Sequence, residues 1–242
     1  IRKTVEETQK DSSGREYWVE TTKTPIYNKH REVIGTTGIA REITQRKLAE
    51  ISDQIRREML EKVVQLGKRV TEVSDLKITL ERIWHGVHDD LGFDRPGIFL
   101  YNPEHNAMVG SYGTNHQGKM VDEKDLHVLL NNNSTEALAF IDVIKEGNRL
   151  QFTHNYSLEN GIPKGHIMDG VKDHALVAAW AGDKPVGVIS VDNVITGRPI
   201  GGEQLEALRL FAGYAGLAIE NARLNDTLEN DLNQRKSLIE EL

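Results

Sequence analysis

The sequence predicts an α+β fold, an antiparallel sheet with helices packed on one face and long helices at both ends. Three observations point there. First, Val186, Val188 and Ser190 alternate with Gly187, Ile189 and Val191, a period-two pattern rich in β-branched residues that marks a strand. Second, Gly197, Pro199, Gly201 and Gly202 break the chain, and a helix follows in which Leu205, Leu208, Phe211, Ala212, Ala215 and Ile219 share one face. Third, the remaining segments alternate in type, as helix, strands, helix, strands and helix, which suits a sheet covered by helices.

In chain order, residues 17–26 read as a strand, Asn28, Lys29 and His30 as a turn, and residues 33–43 as the returning strand. A lone hairpin is marginal in water, so this one needs a sheet to join. Residues 44–73 contain no Pro and step through Leu48, Ile51, Ile55, Met59, Val63, Leu66, Val70 and Val73 in a helical pattern. The Ile55 to Met59 step adds a stutter to the heptads. This segment is expected to connect two domains and to pair with its twin in a homodimer, the alternative being a single helix docked on its own domain. Ser74-Asp75 is a plausible N-cap, Leu76, Leu80, Ile83, Val87 and Leu91 form the next stripe, and Gly92 ends it.

Residues 97–102 and 107–112 are expected to pair across the turn at Asn102-Pro103. A helix over 134–146 capped by Ser134, a strand over 149–154, and a glycine-rich loop over 155–172 follow. Residues 174–180 and 185–192 form a hairpin around Gly182-Asp183. The last helix, 203–224, runs on to Leu242 with two competing heptad registers. One uses Leu224, Leu228, Asp231, Arg235, Leu238 and Leu242; the other uses Leu228, Leu232, Arg235, Ile239 and Leu242. A two-state signalling helix and a frayed terminus both fit that pattern. Glycines in the 203–224 helix imply close approach to a sheet or a second helix, since each costs about 1 kcal/mol against alanine.

Residues 185–224 resemble the last strand and helix of a GAF domain, with the strand end Val191-Asp192-Asn193 and the helix end Ala218-Ile219-Glu220-Asn221-Ala222-Arg223-Leu224. The resemblance spans about 56–224. The N-terminal segment resembles the C-terminal part of a PAS domain in Asp11-Ser12-Ser13-Gly14-Arg15, the pair Tyr17-Trp18, the strand from Gly35 to Gly38 and the exit Glu42-Ile43-Thr44-Gln45-Arg46. Glu42 stands where that family commonly has Asp, on a longer arm than the usual anchoring salt bridge uses. The first part of a PAS domain is absent from the sequence, so an orphan hairpin without a sensing role is expected. The implied organisation is a truncated PAS hairpin over 1–45, a connecting helix over 46–73, a GAF domain over 74–224 whose first helix can start near 56, and an outgoing helix over 225–242.

The chain has 242 residues, 28% charged and 38% hydrophobic, with a net charge of −7. That balance argues against nucleic-acid binding, which needs clustered Lys and Arg. No apolar run reaches the roughly 20 residues of a membrane span. A cytoplasmic location is expected. Ile1 opens the sequence without a signal-peptide pattern, as a segment cut from a longer protein would. There is no cysteine. Thiolate catalysis, Cys-based zinc sites and thioether-linked bilins are therefore excluded. The same absence rules out the chemistry of the methionine-sulfoxide-reducing members of the family.

Among ligand classes that the resemblance implies, cyclic nucleotides are disfavoured: Asp122-Glu123 has Gly118, not Phe, four positions before it. Haem would need an axial ligand such as His116, His154, His166 or His174, and is expected to be absent. His85-x-x-His88-Asp89 has metal-compatible spacing but no third ligand, so a solvated helix flank is expected. A pocket would be lined by Phe99, Tyr101, Tyr112, Phe152, His154, Trp180 and Asp192, with His154 and Asp192 orienting a polar ligand group; the alternative is a closed core. No catalytic constellation is visible. The expected role is the sensory input region of a multidomain sensor, a histidine kinase first. A purely structural relay domain, or the input of a diguanylate cyclase or transcriptional regulator, stands as the alternative.

Overall fold

The computed structural model describes residues 3–131, 134–145 and 149–240, with backbone only for 237–240. Glu146, Leu238, Ile239 and Leu242, which the sequence assigned to a helix end and to the coil registers, lie outside the described residues or side chains. The chain packs as two units, Ile1–Glu58 and Met59–Leu242.

The first unit is an antiparallel sheet of order β1-β2-β3, with β1 at Lys3–Lys10, β2 at Glu16–Tyr27 and β3 at Val33–Glu42. The expected hairpin is thus β2-β3, and β1 adds a third strand that the sequence reading missed. Its eight residues are exposed throughout and Val5 is the one large apolar residue among them, so no buried face announced it. The carboxylate of Asp11 accepts the amides of Ser13 and Arg15, closing the β1–β2 turn with Gly14 at φ +84.

At the unit's end, Ile43 N–H donates to Trp18 O at 2.8 Å and Trp18 N–H donates to Thr44 Oγ1 at 3.0 Å. These bonds start α1 (Thr44–Thr71). Glu42 accepts from the Thr44 hydroxyl, while Arg46 reaches Glu6 at 2.6 Å and Glu20 at 3.3 Å. The ionic anchor of the exit therefore comes from β1 and β2, not from Glu42.

The second unit is built on a six-stranded antiparallel sheet of order β8-β5-β4-β11-β10-β9. Its strands are β4 (Arg95–Asn102), β5 (Ala107–Gly110), β8 (His127–Leu129), β9 (Leu150–His154), β10 (Asp173–Ala181) and β11 (Lys184–Asp192). Two further short strands, β6 (Tyr112–Thr114) and β7 (Met120–Asp122), pair with each other. The expected strand 107–112 is therefore split between β5 and β6. Gly110 is the reason: a Cβ there would lie 2.3 Å from Glu123 O, so the strand passes directly under that segment.

Alternation sorts the strands. Ala175, Val177, Ala179, Ile189, Val191 and Ile98 turn to one face, where they meet α1, α2 (Leu76–His85) and α5 (Gly202–Glu240). Phe99, Leu176, Ala178, Trp180 and Val188 turn to the other and meet α3 (Thr135–Ile144) through Ala137, Phe140 and Val143. The sequence placed helices on one face. The structure adds α3 on the second, because the central strands are apolar on both sides and need two covers.

Fully buried side chains such as Phe211, Leu208 and Ile219 contribute about 1.5–3 kcal/mol each. Val63, Leu66 and Val70 are also buried in this core, at 1–2% exposure. That half of the α1 stripe therefore docks on its own unit and is unavailable as a dimer seam. α2 passes into a π-helical turn, Gly86–Asp90, before Gly92 at φ +75 ends the run.

Candidate functional site

One row across the sheet carries an unusual set of polar side chains. The register aligns Thr153 with His174, His174 with Asp192, and Asp192 with Arg95. All four lie on the α3 face, at the end where β9, β10, β11 and β4 converge. Arg95 and Asp192 are both buried, and the guanidinium grips the carboxylate through Nε at 2.9 Å and Nη2 at 2.6 Å. Its Nη1 donates to Ile167 O at 2.7 Å, tying the 155–172 loop to the sheet. Two buried charges are tolerable because their hydrogen bonds are satisfied; removing one partner would strand the other.

His174 pairs through Nε2 with Ser190 Oγ at 2.9 Å, and its ring packs on Tyr156 at 4.3 Å. Tyr156 begins α4 (Tyr156–Glu159), a short helix inside the segment expected to be loop. Burial, and then the nearby Arg95 charge, push the His174 imidazole down to about 4, so it is neutral. Burial raises the Glu123 carboxyl, and Arg95 offsets part of that rise. Six residues further along β10 on the same face, Trp180 Nε1 is buried without a hydrogen-bond partner, and Arg149 lies over the ring at 4.8 Å.

Of the seven residues expected to line one pocket, Phe99, Trp180 and Asp192 share the α3 face, with half-buried Tyr101 beside them. Phe152 and His154 do not join them. They lie opposite Ala175 and Asp173, and therefore on the α5 face. Tyr112 also belongs to the α5-side core; its hydroxyl donates to Glu81 at 3.0 Å, and burial followed by that carboxylate pushes it up to about 12. Arg95, Ser190 and Tyr156 were missed. A usable signal existed, since Arg95 begins one apolar strand and Asp192 ends another, and antiparallel pairing brings such ends together.

His85, His88 and His166 have local partners. His85 and His88 share the Asp89 carboxylate, at 2.7 and 2.6 Å, and His88 stacks on Trp84. His166 Nδ1 accepts from Met168 N–H, and His116 sits exposed on a turn. Asp122 accepts the Lys124 amide. Among the described residues, no group of three or more His, Asp or Glu is placed to hold a metal. No helix among them is long and apolar enough to cross a membrane.

Residues 2–48 match a family model described as the PAS fold. No curated protein matches the sequence. The structure is similar to the GAF domain of a phosphoenolpyruvate-protein phosphotransferase from Coxiella burnetii (TM-score 0.56, 11% identity, 71% of this chain and 98% of that one). It is also similar to the corresponding GAF domain from Acinetobacter (TM-score 0.53, 14% identity, 68% and 94% covered). A third similar structure is free methionine-R-sulfoxide reductase from Neisseria meningitidis in complex with its substrate (TM-score 0.50, 13% identity, 70% and 92% covered). At these identities the likeness establishes the fold. The chain is a PAS-related segment followed by a unit with the GAF fold.

Proposed function

We propose that this chain is a sensory input region in which the GAF-fold unit binds a small molecule on the α3 face of its sheet and relays occupancy through α5. The observation that carries the reading is the double role of Trp180. Its indole N–H is buried and unpartnered on the α3 face, while its main chain supports α5 on the other. A Cβ built on Gly216 of α5 would lie 2.3 Å from Trp180 O. A ligand that accepts from the indole would therefore act on the residue that seats the outgoing helix. Ligand binding shifts α5 only if the two seatings differ in affinity for it.

A histidine kinase is the output this reading favours, and residues 1–45, 46–73, 74–224 and 225–242 remain the proposed divisions. The proposed homodimer would use Leu224, Leu228 and Leu232 of α5, which are 54%, 59% and 55% exposed. On α1 it would use Leu48, Ile51 and Ile55, also exposed. Light scattering over a range of concentrations tests that assembly.

The ligand reading is tested by thermal shift of the whole chain against nucleotides, haem, tetrapyrroles and metabolites. A ligand at a hundredfold excess over its Kd adds about 2.7 kcal/mol of stability. The expected result is a stabilising compound whose effect Trp180→Phe weakens. Stabilisation that Trp180→Phe leaves intact would place the ligand elsewhere, and a uniformly silent screen would favour the purely structural relay.

A further inference from the structure

We infer a second binding site, for a small anionic metabolite carrying phosphate or carboxylate groups, in an open cleft on the α5 side of the sheet. The cleft holds ≈ 490 Å³ and is walled by His154, Lys172, Asp173 and the segment from Asn193 to Pro199. It is separate from the Arg95 row, because His154 and Asp173 project to the face opposite Leu176 and Trp180.

The charge arrangement specifies the ligand's sign. Three carboxylates near the cleft are buried and turned inward onto donors; one of them, Asp192, takes the Val194 amide at 3.0 Å and the Arg95 guanidinium at 2.6 Å. Asp173 takes His154 Nδ1 at 2.6 Å and the Ile200 amide at 2.9 Å. Asp94 takes the Thr196 amide at 2.6 Å, the Thr196 hydroxyl at 2.8 Å and Arg198 at 3.4 Å. The cationic groups are left on the rim. Lys172 forms no ion pair among the described residues; Arg198, its side chain 60% exposed, gives Nε to Thr196 and Nη2 to Gly92 O and Asp94, and keeps Nη1 for a ligand. The Asp173 bond fixes the His154 ring by its Nδ1, and the remaining nitrogen, Nε2, donates to an anion when the ring is the imidazolium. Three nitrogen groups thus ring a cleft larger than an inorganic ion needs, and Val194, Ile195 and Pro199 offer apolar wall to the organic remainder.

The cleft is wired to the outgoing helix independently of Trp180. The segment 193–199 leads directly into α5, and the Asp173–Ile200 bond ties the floor of the cleft to that lead-in. An anion bridging Lys172 and His154 to Arg198 would clamp the start of α5 to the β9–β10 edge.

The test is a 15N-amide NMR titration of the whole chain with pyrophosphate, with citrate, and with uncharged glycerol. Saturable shifts are expected at Lys172 and at residues 194–198 with one or both anions and not with glycerol; which anion acts names the chemistry. Lys172→Gln, which breaks no side-chain bond among the described residues, is expected to weaken binding about tenfold, as loss of one charge-assisted hydrogen bond does. His154→Gln is expected to weaken it as well, and Trp180→Phe to leave it unchanged. No saturable shift at these residues up to tens of millimolar anion would overturn the inference. So would equal binding by the Lys172→Gln and His154→Gln proteins.

Discussion

Gly216 of α5 lies against the main chain of Trp180: a Cβ built on it would meet the Trp180 carbonyl oxygen at 2.3 Å and the amide nitrogen at 2.5 Å. Backbone atoms in a central strand have no freedom to withdraw. The helix therefore sits on the sheet only because this position has no side chain.

The sign of a glycine replacement should consequently depend on position. In an exposed helix interior, Gly→Ala stabilises by about 1 kcal/mol. Gly213, one turn earlier, faces open space and should follow that rule. Gly216→Ala should instead destabilise by about 1–3 kcal/mol, the usual cost of overpacking. Urea denaturation of the two variants checks this; destabilisation of equal size in both would contradict the seating described.

A related contact ties α1 to α5. A Cβ on Gly67 would fall 2.4 Å from Tyr214 Cγ, an atom close to the backbone and not the far end of the ring. Gly67→Ala should be destabilising in the native chain and much milder when combined with Tyr214→Ala. A double-mutant cycle with no coupling would show that α1 and α5 are not in contact there.

The Arg95–Asp192 pair makes a third prediction. Asp192→Ala should cost about 3–5 kcal/mol, because it leaves the guanidinium buried without its counter-charge. Replacing both residues together, as Arg95→Met with Asp192→Leu, should cost less than the single change. Denaturant midpoints for the three proteins decide the matter, and a double variant worse than Asp192→Ala would refute it.

His174 predicts an acid limit. Its folded value of about 4 lies below the ordinary 6.5, so at low pH the unfolded chain binds the proton that the folded chain refuses. The stabilisation is complete above 6.5 and is lost progressively as pH falls from there toward 4, by up to about 3 kcal/mol. His174→Gln keeps a polar group for Ser190 and cannot titrate. Its stability should be flatter than the native protein's between pH 7 and 4.5, measured by chemical denaturation at each pH; parallel profiles would exclude His174 as the source.

The strands and helices that bury one clear face were legible in sequence, because period and composition are local. Val186 to Val191 and Leu205 to Ile219 needed no knowledge of their neighbours. β1 escaped, since its eight residues are all exposed and carry no apolar alternation. So did the short strands β7 and β8, whose three residues each are fewer than a period needs to declare itself.

The candidate site was only half visible for the same reason. Asp192 and Trp180 stood out as a polar strand end and a buried aromatic. Their partners come from far along the chain: Arg95 is 97 residues from Asp192. Face assignment was the other failure, because Phe152 and Phe99 look alike in sequence and differ only in which way the pleat turns them.

By itself the sequence determined the strands and helices that bury a clear apolar face, their order, and that the last helix approaches something closely. It also determined that cysteine chemistry is absent. The tertiary structure alone decided that Gly216 and not Gly213 makes the approach, that Arg95 meets Asp192, and that His154 faces away from Trp180. Local preference follows from a residue and its few neighbours, whereas these pairings follow from strand register, which is set when distant segments of the chain pack together.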